Sequence, residues 1–73
     1  MTQADKDRNA RALALEHDTT FTAAVDYLKD RAAKEVLNAK TPEEREEKWR
    51  AYDALRRVTG QIAIWAAEAR TNP

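Results

Sequence analysis

The strongest helix-start signal in the chain lies at Thr41, Pro42 and Glu44. Threonine is a favoured N-cap, proline is preferred at the first helical position, and a glutamate three residues after the cap completes a capping box. The next strong breaker is the run Thr71-Asn72-Pro73. The pattern therefore predicts a helix over about 42–70, roughly 42 Å long at 1.5 Å per residue.

The chain's one glycine, Gly60, falls inside this predicted helix. A glycine in a helix interior costs about 1 kcal/mol relative to alanine. The apolar spacing nevertheless continues in phase through it, at Leu55, Val58, Ile62 and Trp65. We therefore predict an uninterrupted helix in which Gly60 is a point of close packing. The alternative is a break at Gly60 that leaves Arg56 and Arg57 near a turn.

A second helix is predicted over about 20–39. Its start follows the capping oxygens of residues 18–20, and its apolar positions recur at helical spacing as Phe21, Val25, Leu28, Ala32 and Val36. Asp30 and Lys34 form a favourable pair four residues apart. Only Lys40 and Thr41 would separate the two helices, and so short a connection forces antiparallel neighbours.

The N-terminal segment, about 4–16, is rich in alanine and arginine and should also be helical. Leu13 and Leu15 are its large apolar residues, and so short a helix frays when isolated. It either docks on the other helices or becomes ordered on a partner, with a kink or break near His17. The predicted fold is all-α, a single domain over 1–73. It is an antiparallel helical hairpin (about 20–39 and 42–70) with a short N-terminal helix (about 4–16), and the N-terminal segment 1–17 is expected to pack loosely on the hairpin.

Composition excludes several classes of protein. The 73 residues contain no cysteine and one histidine, which rules out a disulfide scaffold, a thiolate zinc site and cysteine catalysis. Basic and acidic residues number 13 each and are balanced along the chain, which argues against a nucleic-acid partner because phosphate binding needs a cationic patch. No window approaches the roughly 20 apolar residues of a membrane span.

The sequence also offers no set of side chains spaced for catalysis. The carboxylate pairs Asp26/Asp30 and Glu43/Glu47 stand at helical spacing, but acid–base work needs a cleft that separates their pKa values. With His17 as the sole histidine, no set of nucleophile, base and orienting group can be assembled. We expect a protein that is not an enzyme, with no catalytic residue, bound metal or cofactor.

The large apolar side chains are too widely spread for one hairpin stripe. A wide apolar arc needs more than one neighbour, and short chains without disulfides often oligomerise. We expect hairpins to pair into a four-helix bundle or to dock on a larger assembly; the alternative is a monomeric three-helix bundle. Trp49 is either core or a docking anchor with Arg45, Lys48 and Arg50 as its polar rim. The residues expected in the interface or core are Phe21, Leu28, Leu37, Trp49, Tyr52, Leu55, Ile62, Ile64 and Trp65.

Three segments carry a resemblance to a known group. They are the Phe21 opening with Val25, the acidic Thr41–Glu46 linker, and the step Tyr52-Asp53-Ala54-Leu55-Arg56-Arg57-Val58. Together they resemble the small helical proteins encoded among the head-assembly and packaging genes of tailed bacteriophages and prophages. The resemblance covers about residues 13–65 and implies a protein that docks to larger phage proteins without catalysis.

The leading hypothesis is therefore a phage or prophage structural or assembly-accessory protein. Its expected partners are copies of itself or a larger virion protein, with neither nucleic acid nor membrane. The expected location is the host cytoplasm, with incorporation into the virion as a further step. The alternative is a small regulatory protein that binds DNA or a host protein.

Overall fold

The computed structural model describes residues 1–72. These residues form three α-helices, α1 (Gln3–His17), α2 (Thr19–Leu37) and α3 (Pro42–Thr71), and they contain no strand. The all-helical prediction is confirmed, and each helix begins within one residue of its predicted start. Pro73, which ends the predicted domain, lies outside the described residues.

Side chains cap all three helices at their N-termini. The Thr2 hydroxyl accepts from Asp5 N at 3.1 Å, and the Asp5 carboxylate accepts from Thr2 N at 3.2 Å, so α1 begins with a complete capping box. Asp18 accepts from Phe21 N at 2.9 Å at the start of α2.

The α3 cap departs from the predicted capping box. The Thr41 hydroxyl accepts from Glu44 N at 3.0 Å, as the motif predicts. The Glu44 carboxylate, however, accepts from Lys40 N at 3.4 Å and not from Thr41 N, so the second half of the predicted box is wrong. The side chain reaches back one residue further than the motif requires, and it ties the connection to the helix.

The connection between α2 and α3 is longer than predicted. The sequence places the end of α2 at Ala39, but the helix ends at Leu37 and Asn38 is its C-cap. Asn38 N donates to Lys34 O, and Ala39 N then donates to Val36 O at 3.3 Å, which tightens the last turn. Residues 38–41 form the connection, and Ala39 is buried within it.

Gly60 does not interrupt α3, as predicted, but its expected role in close packing is wrong. A Cβ built at Gly60 meets nothing within 4 Å, and the residue is exposed. It lies away from the contact with the other helices, so no neighbour requires a glycine there.

Both α1 and α2 pack against α3, and they contact each other much less. The molecule measures 48 × 24 × 16 Å. Since a helix with its side chains is about 10–12 Å across, the thin dimension holds a single layer of helices. The residues buried in this layer are small: Ala12, Ala32, Ala39, Ala66 and Asn9. Larger apolar side chains are left half-buried or exposed on its two open faces.

Candidate docking surface

One half-buried stripe of α3 divides its surface into two flanks. The stripe consists of Lys48, Tyr52, Leu55, Thr59 and Ile62, spaced at intervals of three and four residues. Because each residue turns the helix by about 100°, positions one after the stripe lie on one flank and positions one before it lie on the other. The flanks differ in both charge and apolar content.

An open apolar groove lies on the first flank, near the α2–α3 connection. Ala33, Val36 and Leu37 of α2 line it together with Trp49 and Tyr52 of α3. The two aromatic rings are 5.5 Å apart between centroids and tilted by 39°. Leu37 is 82% exposed and Trp49 45% exposed. Exposed aromatic and aliphatic side chains that share a groove are typical of binding hot spots.

Basic residues stand at both ends of this groove. Arg45 is four residues before Trp49, and Arg56 is four residues after Tyr52. On α2, Lys29 stands four residues before Ala33, and Lys40 follows the end of the helix. None of these four side chains belongs to an ion pair formed within residues 1–72. We call the groove residues with Lys29, Lys40, Arg45 and Arg56 the basic face.

The rim predicted around Trp49 is present only in part. Arg45 shares the flank of Trp49. Arg50 instead pairs with Glu46 at 2.9 Å, toward the edge of α3 that points away from α2. Lys48 is half-buried in the stripe itself.

The second flank of α3 is acidic and also carries apolar side chains. Its members are Glu43, Glu47, Ala51, Ala54 and Val58, all exposed. Val58 is 60% exposed. In α2, Leu28 is 45% exposed, and helical spacing places it on the side of that helix away from Ala33 and Leu37. Neither Glu43 nor Glu47 has an ion-pair partner among residues 1–72. We call these residues, with Leu28, the acidic face.

The opposite end of the molecule is held by a polar network between α1 and α3. Asn9 is only 1% exposed, and its amide nitrogen donates to the Glu68 carboxylate at 3.2 Å. The Arg8 guanidinium donates to Asn9 Oδ1 at 3.0 Å and lies 4.4 Å from the centre of the Trp65 ring. Trp65 is thereby covered by a cation from the same chain, whereas Trp49 is not.

Sequence reasoning missed this network. Nothing near Asn9 marks it as buried except its position three residues before Ala12, on the side of α1 that faces α3. Its partner Glu68 is 59 residues away, so the pair arises from tertiary packing alone.

A second apolar pocket lies where α1 ends, among Phe21, Val25, Ile62 and Ala63. At its edge the Arg70 guanidinium donates to the Glu16 carboxylate at 2.6 Å. His17 also lines this pocket, as do the hydroxyl-bearing residues Thr22 and Thr59. The Thr59 hydroxyl donates to the backbone oxygen of Leu55 at 3.0 Å, so it is occupied in holding its own helix.

The side chains of Asp5 and Lys34 have pKa values shifted from their ordinary values. Hydrogen bonds from Thr2 hold the pKa of Asp5 below its ordinary value, and the carboxylate of Asp30 raises the pKa of Lys34. Both shifts have structural causes, a helix cap and the predicted Asp30–Lys34 pair, which forms at 2.8 Å. Within residues 1–72 no group of three or more histidine, aspartate or glutamate side chains is placed to hold a metal ion.

The nine residues predicted for the interface or core fall into two groups. Leu28, Leu37, Trp49 and Ile64 are exposed, and Phe21, Tyr52, Leu55, Ile62 and Trp65 are half-buried. Among them, the basic face brings together Leu37, Trp49 and Tyr52. Ile64 stands apart on the outer surface of α3, and its role in an interface stays a prediction.

In comparisons with known proteins, no family model, curated protein or solved structure matches the chain. None of the helices described in residues 1–72 is both long enough and apolar enough to cross a membrane.

Proposed function

We propose that this chain is a non-enzymatic docking protein, a helical hairpin that binds another protein through the basic face. The observation that carries the proposal is the exposure of Leu37 beside Trp49 and Tyr52. The resemblance of its sequence to small phage head-assembly and packaging proteins suggests the setting, that of a structural or assembly accessory of a phage or prophage.

The hairpin arrangement rests on contacts at both ends of α2. Phe21 and Val25, near its start, share a pocket with Thr59 and Ile62. Leu37, at its end, shares the groove with Trp49, which comes ten residues before Thr59 in α3. These contacts run in opposite directions along the two helices, as antiparallel neighbours require.

The energetic argument concerns the apolar surface that stays in water. Full burial of a leucine-sized side chain contributes about 1.5–3 kcal/mol, and Leu37 gains little of this within its own chain. A partner that covers Leu37 and the exposed part of Trp49 would gain that free energy on binding. An aromatic anchor at the centre of an interface typically supplies much of the affinity.

Site-specific photo-crosslinking tests this proposal in cells that carry the gene and assemble particles. A photoreactive amino acid at Leu37 should crosslink to a virion structural protein or to a second copy of the chain. The matched control places the same group at Arg57, whose side chain is also 82% exposed but pairs with Asp53 and lies outside the groove. Equal products from the two positions, or normal particle formation after deletion of the gene, would count against the accessory role.

The four unpaired cations of the basic face favour a second candidate, a small regulatory protein that binds DNA. Arg45 and Arg56 stand one helical turn from Trp49 and Tyr52, and cations beside aromatic rings suit the binding of single-stranded nucleic acid. The proposal ranks second because the acidic face and zero net charge would weaken attraction to phosphate. An electrophoretic mobility shift that falls steeply with added salt would favour this candidate over protein docking.

A further inference from the structure

We infer that the partner of the basic face is the acidic face of a second copy of this chain, so that copies stack head to tail. This inference rests on the proposed docking function and names its partner. Three features support it: the excess surface of the isolated chain, the complementary charges of its two faces, and the position of those faces on opposite sides of one helical layer.

The chain exposes more surface than a compact protein of its size. Its accessible surface is 5542 Å² for a mass of 8.3 kDa. A compact monomer of this mass is expected to expose roughly 4600 Å², so the excess is roughly 900 Å². A standard protein–protein interface buries about 800 Å² on each partner. The excess is thus of the size that one face of a copy would lose to such an interface.

The charges of the two faces favour contact between unlike faces. On the basic face, the cations of Lys29, Lys40, Arg45 and Arg56 outnumber the nearby carboxylates, which are those of Asp26 and Asp53. The Asp53 carboxylate is moreover paired with Arg57. Packing two basic faces together would bring like charges close, which costs free energy. The acidic face offers Glu43 and Glu47 beside apolar side chains, so a basic face can pair its cations while burying Leu37 and Trp49.

Zero net charge removes the general repulsion between copies. The 13 basic residues balance the 13 acidic residues, and a net charge near zero promotes association. Contact between unlike faces is heterologous, so each added copy presents a free face for the next, unless the rotation between copies closes a ring. The expected assembly therefore grows beyond a dimer.

Analytical ultracentrifugation of the purified chain tests the inference. Over a concentration range of about a hundredfold, the average mass should rise from 8.3 kDa past twice that value. Added salt should weaken this association, since exposed charges are screened. The paired substitution Arg45→Glu with Arg56→Glu should weaken the association by about tenfold or more, an effect of 1.4 kcal/mol per factor of ten.

A matched control separates the effect of the basic face from the effect of net charge alone. Arg50→Glu with Arg57→Glu makes the same change of net charge on the outer edge of α3, where each arginine pairs with a carboxylate of its own helix. This variant should associate far more strongly than the basic-face variant. Circular dichroism checks that both variants keep the helical content of the wild type.

Charge exchange provides the sharper test. Glu43→Lys with Glu47→Lys should also weaken association, whereas combining these changes with Arg45→Glu and Arg56→Glu restores zero net charge and opposite signs on the two faces. Association should then recover. If the combined variant does not fold, the comparison of Arg45→Glu/Arg56→Glu with the edge control still decides the matter.

Three outcomes would overturn the inference. They are a constant 8.3 kDa species over the whole range, a mass that stops at a dimer and rises when Arg45 and Arg56 are reversed, or equal effects of the face and edge variants. A monomer that still crosslinks through Leu37 to a virion protein would leave the docking function standing. Self-association without any role in particle formation would instead refute the accessory role alone.

Discussion

The two ends of this molecule use opposite means to hold helices together. Where α1 meets α3, the buried residues are small or polar: Ala66 is fully buried and Asn9 is 1% exposed. Where α2 meets the beginning of α3, the side chains are large, but Leu37 is 82% exposed. The first end is closed by contacts within the chain, and the second leaves apolar surface exposed.

This difference shows that apolar content alone does not locate the core. Alanines let helix backbones approach closely, and the network of Arg8, Asn9 and Glu68 then fixes how α1 lies on α3. Trp65 is covered by Arg8 at that end. Trp49 lies beside the Tyr52 ring and remains 45% exposed. We therefore expect substitutions at the α1 end to change stability, and substitutions at the groove to change binding.

The largest expected effect is that of Ala66→Leu. Ala66 has no exposed surface, so the added atoms must displace the helix packed over it, at a cost of about 3 kcal/mol in the free energy of unfolding. Urea denaturation measures this loss. The control is Ala67→Leu on the next, exposed position of the same helix, which should be nearly neutral. Equal losses at both positions would remove the distinction between the two ends.

Asn9→Ala should cost about 2 kcal/mol, because it leaves a cavity and removes a hydrogen bond to a charged carboxylate. The same denaturation experiment measures it. A double-mutant cycle with Glu68→Ala isolates the pair: the two changes together should cost less than the sum of the single changes. Strict additivity would show that the network does not hold α1 in place.

The starts of the helices could be predicted from the sequence because they depend on local chemistry. Asp18 and Thr41 each cap a helix through a bond to a nearby backbone N–H. The end of α2 could not be placed, since it depends on how Asn38 and the connection pack. The groove could be predicted in part from the sequence, because Arg45 and Arg56 stand one helical turn from Trp49 and Tyr52. Their lack of ion-pair partners emerges only from the fold.

Gly60→Ala probes the stretch of α3 that joins the two ends, and it should raise the stability by about 1 kcal/mol. A helix-interior glycine is unfavourable by that amount, and an added Cβ meets no atom within 4 Å. Thermal unfolding should show the gain as a higher midpoint. Ala67→Gly, the reverse change at an exposed position, should cost a similar amount. A loss of stability in Gly60→Ala would mean that α3 needs flexibility between its two ends.

The pH dependence of α1 provides a smaller test, confined to the closed end. Hydrogen bonds from Thr2 lower the pKa of Asp5 in the folded state, from an ordinary value of 3.8. The stabilisation is therefore fully present above pH 3.8 and is lost as the pH falls through the lowered folded pKa. Amide hydrogen exchange in the first turn of α1 should speed up relative to that of α3 in this window. Asp5→Asn should abolish the pH-dependent difference.

The smallest expected effect is that of Leu37→Ala on the stability of the dilute chain, within about 0.5 kcal/mol, as for other exposed positions. The neighbouring Val36→Ala is the control: Val36 is half-buried in the same groove, so its truncation should cost about 1 kcal/mol or more although it removes fewer carbon atoms. Urea denaturation below the concentration at which copies associate separates the two. If Leu37→Ala costs as much as Val36→Ala, the groove belongs to the core of the monomer. If Leu37→Ala is neutral in the dilute chain and weakens association at high concentration, the leucine contributes to binding alone.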